Sequence, residues 1–210
     1  MSYTCLECAR QGRDCCREAH AKFLTLRDAV RIAGFLREPV NTFAVYDFLK
    51  DKDREEYIYI NRHQNYYYDL ALRDERLLQI RQKSDGSCIF QEPTGPCRIY
   101  PARPLICRTY PFWLSSGGEI IFDGCSSDCP IVCDVTGNDG PEDIAKLSDR
   151  SGVARACALE RVGYSRGDMK KFLDQMMVEI EDYRENIDAF IAENRVDVPA
   201  SASALCLAAR

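Results

Sequence analysis

A chain of 210 residues, 46% of them hydrophobic, is long enough to bury one core of ordinary size, alone or with an appended helical segment. Its formal charge of -5 argues against nucleic acid or an anionic membrane as the main partner, because both attract a net basic surface. No apolar run approaches the roughly 18 residues of a membrane-spanning helix, so we expect no membrane span.

The twelve cysteines, more than packing requires, fall mostly in two blocks. The first block holds Cys5, Cys8, Cys15 and Cys16, the second holds Cys88, Cys97, Cys107, Cys125, Cys129 and Cys133, and Cys157 and Cys206 stand alone. The first residues show no basic region followed by an apolar stretch, so we expect no signal peptide and a cytoplasmic location. Clustered thiols in a reducing compartment are typical of metal sites, with a disulfide-rich interaction module as the alternative.

The first predicted helix lies between the two blocks. Thr25 and Asp28 have the spacing of a capping signal. Apolar residues follow at helical intervals: Leu26, Ala29, Val30, Ala33 and Leu36. Pro39 permits a second helix start, with Val40 and Phe43 on one side. The tyrosine-rich segment 57–68 fits either a strand or a helix.

A β-hairpin is predicted next. Residues 77–82 alternate as in a strand, residues 84–86 have the composition of a turn, and residues 88–90 form the returning strand. A further short strand is expected at residues 119–122, after a pair of glycines.

Five prolines fall between residues 93 and 111. Such a segment excludes a regular helix or a central strand and predicts a long loop. An ordered loop of this length needs something to order it, and a metal bound by Cys97 and Cys107 would do so.

The C-terminal third is predicted to be helical. Two short helices are expected at residues 141–147 and 151–162, and Ser165 with Asp168 opens a long one. Its apolar residues recur at nearly heptad spacing: Met169, Phe172, Met176, Ile180, Tyr183, Ile187 and Phe190. This seam favours packing on the cysteine-rich part over a dimerising coiled coil, because three heptads are marginal alone.

The second cysteine block carries the most specific motif. It reads G-x-C-x-F from Gly86, then C-x-I-Y-x-x-R-P-x-x-C-R-x-Y-P-F from Cys97. This string resembles the family of zinc- or iron-chelating domains named for a CxxCxxCC start. The flagellin lysine-N-methylase carries a related cysteine pattern. The resemblance covers about residues 5–129.

The resemblance implies a metal centre built from both blocks. The matching positions are Cys5, Cys8, Cys15, Cys16, Cys88, Cys97, Cys107 and Cys129, with Cys125 as a neighbour of the last, whereas the role of Cys133 stays open. The chain departs from the family at its start, because six residues separate Cys8 from Cys15 where the family name implies two. The first four cysteines therefore need not share one ion.

Arg103 and Arg108 interleave with these thiolates. A metal held by four thiolates is left with negative charge, which nearby guanidinium groups would offset while donating hydrogen bonds to sulfur. The alternative is that both are solvated loop charges. Structural zinc sites usually present two close cysteine pairs, and only Cys5 and Cys8 form one, so a [4Fe–4S] cluster is favoured over Zn²⁺.

These observations predict an α+β fold, mainly α, with a small cysteine-rich metal-binding core, a short β-hairpin and a long proline-rich loop, packed by helices. We expect a metal-binding domain at 1–135, a helical segment at 136–197 and a disordered tail at 198–210. The expected function is coordination of an iron–sulfur cluster or zinc by thiolates. The alternative is a cluster-dependent protein-modifying enzyme such as a lysine N-methylase, so a protein substrate or partner stays open. No dinucleotide-binding, P-loop or hydrolase motif occurs in the sequence.

Overall fold

A computed structural model of the chain describes residues 21–49, 72–92, 97–110, 112–114, 120–122, 159 and 163–200. The elements of these ranges are α1 (Leu26–Leu36), β1 (Ala44–Phe48), β2 (Arg76–Ile80), α2 (Leu105–Thr109), β3 (Phe112–Leu114), β4 (Ile120–Phe122) and α3 (Arg166–Asn194), with 3-10 helices at Val40–Thr42 and Tyr100–Ala102. The strands form two antiparallel two-stranded sheets, β1–β2 and β3–β4. The mixture of helices and small sheets confirms the α+β class. None of the helices in these ranges combines the length and the apolar character that crossing a membrane requires.

Helix α1 begins where the sequence predicts it. The Thr25 side chain accepts a hydrogen bond from the Asp28 amide at 3.0 Å, and the Asp28 carboxylate accepts one from the Thr25 amide at 3.4 Å. This reciprocal capping box satisfies two of the amides that a helix start leaves unpaired. The helix ends at Arg37, whose φ of 58° places it in the left-handed region.

The prediction of a second helix after Pro39 is wrong. Pro39 caps only the 3-10 helix Val40–Thr42, and the chain then enters strand β1. Val45, Tyr46 and Phe48 are β-branched or aromatic residues that favour a pleated, half-buried surface. Pairing with β2 therefore outweighs the local helix signal.

The strand predicted at 77–82 is confirmed as β2, but its partner differs from the prediction. Strand β2 pairs with β1 in the register Ala44↔Ile80 to Phe48↔Arg76. The predicted return strand 88–90 is reduced to a single bridge between Gln82 and Cys88. Phe90 is instead buried in the core, where the centroid of its ring lies 5.8 Å from that of Phe43, and this packing replaces continued strand pairing.

The outer edges of this sheet are also covered. The Leu24 amide donates to the Leu78 carbonyl at 2.8 Å, and the Tyr46 amide donates to the Asp197 carbonyl at 2.9 Å. The Leu78 amide donates to the hydroxyl of Tyr183, a buried residue of α3, at 2.9 Å. Segments from both ends of the described chain therefore complete the hydrogen bonding of one sheet.

The prediction that residues 93–111 form only loop is wrong in its second half. The segment contains the 3-10 helix Tyr100–Ala102 and the five-residue helix α2. Pro101 lies in the first turn of the former, and Pro104 is the N-cap of the latter. Proline is tolerated there because the first amides of a helix have no intrahelical partner. Residues 93–96 and 111 lie outside the described residues.

Helix α3 begins at the predicted capping box of Ser165 and Asp168. One face is fully buried and holds Met169, Leu173, Met176, Ile180, Tyr183 and Ile187. This face packs against α1, α2 and β3, so the apolar seam is used within the chain, as the packing alternative predicts. The strand expected at 119–122 is present as β4. The predictions for 57–68 and 141–147 lie outside the described residues, as do those for 151–162 apart from Leu159 and for the tail after residue 200.

One hydrophobic core joins these elements. It contains residues of α1, both sheets, the cysteine-bearing turns and α3. Its largest fully buried side chains include Tyr183, Phe43, Phe90 and Phe112. The central cysteine motif and the long C-terminal helix are therefore built on the same core.

Candidate metal centre

Three of the predicted ligands lie among the described residues, on three segments packed against the shared core. Cys88 follows β2 and is 4% exposed. Cys97 begins the turn before the 3-10 helix Tyr100–Ala102, and Cys107 is the third residue of α2; both are half-buried. None of the three forms a disulfide with another described residue.

Backbone hydrogen bonds join the turns of Cys88 and Cys97. The Gln91 amide donates to the Cys88 carbonyl at 3.0 Å, and the Tyr100 amide donates to the Cys97 carbonyl at 2.9 Å. A third bond, from the Arg98 amide to the Phe90 carbonyl at 2.8 Å, links one turn to the other. The structure thus brings these two predicted ligand segments side by side.

Cys107 lies on helix α2, most of whose other residues are buried. Leu105, Ile106 and Thr109 are buried, and α2 packs on α3. A helix of five residues has little stability of its own, because nucleation is unfavourable and few internal bonds repay it. The orientation of Cys107 therefore depends on what the surrounding residues do to the ends of α2.

The start of α2 is held by a carboxylate of α1. The Leu105 amide lies 3.2 Å from Oδ1 and 3.1 Å from Oδ2 of Asp28, and the Arg31 guanidinium forms an ion pair with the same carboxylate. Asp28 is 1% exposed. Burial raises the pKa of Asp28 to about 6, with Arg31 opposing the rise and Glu179 adding to it.

A second buried carboxylate ties this cluster to α3. The Thr25 hydroxyl, which accepts from the Asp28 amide, donates to Oε2 of Glu179 at 2.5 Å. The Gln175 side chain donates to Oε1 of Glu179 at 2.7 Å, so both carboxylate oxygens have donors. Glu179 is 1% exposed, and this bonding offsets the cost of burying it.

The two arginines predicted to lie beside the thiolates contact the proline-containing turn. Arg108 donates from Nε to the Arg103 carbonyl at 2.8 Å and from Nη2 to the Pro101 carbonyl at 3.1 Å. The guanidinium of Arg103 lies 3.8 Å from the ring centroid of Tyr100. Arg31 adds a bond of 3.0 Å to the Arg103 carbonyl. That these groups also face sulfur stays a prediction.

The remaining predicted ligands lie outside the described residues: Cys5, Cys8, Cys15, Cys16, Cys125 and Cys129. Within the described ranges, no three histidine, cysteine, aspartate or glutamate side chains stand close enough to hold a metal ion. The donor chemistry fits, because thiolate sulfur is the ligand that zinc and iron–sulfur clusters take in proteins. A complete centre would therefore combine these cysteines with ligands from beyond the described ranges.

Fold and cysteine placement define a mixed helix-and-sheet domain that carries thiols on turns and on a short helix, packed against one core. The chain matches the CxxCxxCC family, described as "putative zinc- or iron-chelating domain", over residues 4–133. Because this match spans more than half of the chain, the protein belongs to that family. No solved structure matches the chain.

Two residues of this region were not predicted from the sequence. Asp28 was recognised only as the cap of its own helix, and its second bond, to Leu105, depends on tertiary structure. Glu179 carried a readable signal, because it lies three residues after Met176 and four before Tyr183, on the buried face of α3. A charged residue at such a position predicts a buried partner.

Proposed function

We propose that this protein binds iron, as an iron–sulfur cluster, or zinc through cysteine thiolates. The observation that carries the proposal is the family match, which covers all of the predicted ligand positions. The described structure supports it, since Cys97 and Cys107 of the most specific motif are half-buried, on a turn and on helix α2 that backbone hydrogen bonds and buried side chains hold in place.

The proposed ligand set comprises Cys5, Cys8, Cys15, Cys16, Cys88, Cys97, Cys107, Cys125 and Cys129. A [4Fe–4S] cluster is favoured because only one close cysteine pair is present, whereas structural zinc usually takes two. Clustered free thiols persist most readily in a reducing compartment, so the proposal includes a cytoplasmic location.

The described residues contribute to such a centre by orientation and charge. Arg103 and Arg108 bring two cations next to the motif, and cations offset the negative charge that several thiolates concentrate on one metal. Leu105, Ile106 and Ile99, all buried, flank Cys97 and Cys107 and anchor their backbone. A bound cluster or ion would link these turns to the N-terminal cysteines.

Replacing Cys97 or Cys107 with serine is expected to remove most of the bound metal. Each change deletes a thiolate from a site whose ligands must act together. The measurement is metal per chain after anaerobic purification, by elemental analysis. Cys206→Ala is the matched control, because this cysteine lies outside the family match and should leave the metal content unchanged. Full metal content in both serine variants would remove Cys97 and Cys107 from the ligand set.

A further inference from the structure

One carboxylate stands at the starts of two helices. Asp28 accepts from the Thr25 amide at 3.4 Å in its own helix, and from the Leu105 amide at 3.1 Å in the helix that carries Cys107. Leu105 is the first residue of α2, and the N-cap of that helix is Pro104, which makes no side-chain capping bond. Asp28 therefore takes the place of a local cap for α2.

We propose that Asp28 is a positioning residue of the metal centre, which sets the direction of the Cys107 thiol by fixing the start of α2. The inference rests on the proposed function, because it concerns a residue that acts on a metal through another residue. It goes beyond the cysteine pattern, since Asp28 lies outside both cysteine blocks and 79 positions before Cys107 in sequence.

The geometric argument starts from the length of α2. Cys107 follows Leu105 by two residues, less than one helical turn, so a shift of the Leu105 amide carries directly to the cysteine. With five residues, α2 has few helical hydrogen bonds to resist such a shift, among them those from the Arg108 amide to the Pro104 carbonyl at 3.1 Å and from the Tyr110 amide to the Ile106 carbonyl at 3.0 Å. The external bond to Asp28 therefore adds to the packing of Leu105 and Ile106 in holding the start of α2.

A second path from Asp28 reaches the same turn. Asp28 pairs with Arg31, whose Nη2 donates to the Arg103 carbonyl at 3.0 Å. That carbonyl also accepts from Nε of Arg108 at 2.8 Å. The carboxylate thus holds both the amide that begins α2 and the arginine that fixes the preceding turn.

A chain of hydrogen bonds also connects Asp28 to α3. Its amide donates to the Thr25 hydroxyl, which donates to Glu179 of α3, and Gln175 donates to the other oxygen of Glu179. Asp28 therefore belongs to a hydrogen-bonded network that joins α1 to α3, and ligand-orienting groups around metals are generally hydrogen-bonded in this way.

The test uses the full chain with Co²⁺, whose thiolate absorption reports coordination by sulfur. Asp28→Ala removes both acceptor oxygens and should weaken Co²⁺ affinity by roughly 10–100-fold, the usual effect of losing a group that orients a ligand. Asp28→Asn keeps the shape and one acceptor oxygen and should recover part of that loss. The same ranking is expected for iron retained after anaerobic reconstitution with iron and sulfide.

Tyr183→Phe is the matched control. It removes the acceptor of the buried Leu78 amide, so it also disturbs a buried hydrogen bond, but at strand β2 rather than at α2. Its Co²⁺ affinity and spectrum should equal those of the wild type. If Asp28→Ala does not fold, the Co²⁺ affinity and spectrum of Asp28→Asn are compared with those of Tyr183→Phe.

Two outcomes would overturn the inference, and they are distinguishable. Wild-type affinity and spectrum in the Asp28 variants, with metal lost in Cys107→Ser, would overturn the positioning role alone. A wild-type chain that takes up neither Co²⁺ nor iron would contradict the proposed function and, with it, this inference.

Discussion

Replacing Ile180 with alanine is expected to lower the free energy of unfolding of the whole molecule by about 2–5 kcal/mol. Ile180 is fully buried on α3, in the core that also contains Phe43, Phe90 and Leu105. Truncating a packed side chain removes its contacts and leaves a cavity that neighbours fill only in part. Val178→Ala is the control, because Val178 is 58% exposed and should change stability by less than about 0.5 kcal/mol.

The location of the effect matters as much as its size. Because α3 shares its core with α1, α2 and both sheets, Ile180→Ala should speed hydrogen exchange in β2 and α1 as well as in α3. Urea unfolding gives the free energy, and mass-resolved hydrogen exchange gives the location. Faster exchange confined to residues 166–194 would show that α3 is an independent unit, contrary to the shared core.

The second large effect concerns pH and Asp28. Its carboxyl has a pKa raised from the ordinary 3.8 to about 6, chiefly by burial. Between those two values the folded state binds more protons than the unfolded state, so the free energy of unfolding falls as pH rises. The contribution of the protonated Asp28 carboxyl to the free energy of unfolding is present below about pH 4 and lost above about pH 6. A change in pKa of this size corresponds to about 3 kcal/mol at most.

The measurement compares the wild type with Asp28→Asn, which cannot ionise at this position. Unfolding by urea at several pH values from about 4 to 7, with a chelator present, gives the stability difference without metal. The free energy of unfolding of the wild type should fall relative to that of Asp28→Asn by up to about 3 kcal/mol as pH rises. Carboxyls whose pKa is lowered by hydrogen bonds from Ser87 and Ser165, Asp85 and Asp168, affect both proteins equally and cancel. A pH-independent difference would contradict the assignment.

Local signals in the sequence predicted the starts of α1 and α3 correctly. Thr25 with Asp28 and Ser165 with Asp168 mark the starts of α1 and α3, because a capping box is made by residues three positions apart. The apolar period of α3 predicted five of its six fully buried apolar residues; it missed Leu173 and included Phe172 and Phe190, which are only partly buried. The same reasoning misplaced Val30, which is 59% exposed although it was counted in the apolar stripe of α1.

Features that depend on distant residues were not predictable in this way. Strand β1 forms because β2 pairs with it, and the two are joined across residues 49–75, so short-range period favoured a helix instead. Helix α2 was excluded because of its prolines, although Pro104, as the N-cap, precedes the helix and does not interrupt its hydrogen bonds. The bond between Asp28 and Leu105 crosses 77 positions of sequence and has no local signal.

The same contrast between local and distant signals applies to the candidate metal centre. The cysteine spacing and the R-P-x-x-C-R string are sufficient to identify the ligand candidates and the family from the sequence. The roles of two carboxylates depend on the packing of α1, α2 and α3: Asp28 accepts from the first amide of α2, and Glu179 accepts from Thr25, which caps α1. In the proposed centre the motif supplies the thiolates, and the fold supplies the residues that orient them.

The central claim is that cysteine thiolates of this chain bind a metal, and the coordination shell of that metal tests it most directly. The measurement is X-ray absorption at the iron and zinc edges of the full chain, purified without oxygen. We expect one of the two metals to be present, with a sulfur shell at about 2.3 Å. A shell containing only nitrogen or oxygen at about 2.0–2.1 Å, or the absence of both metals, would contradict the claim.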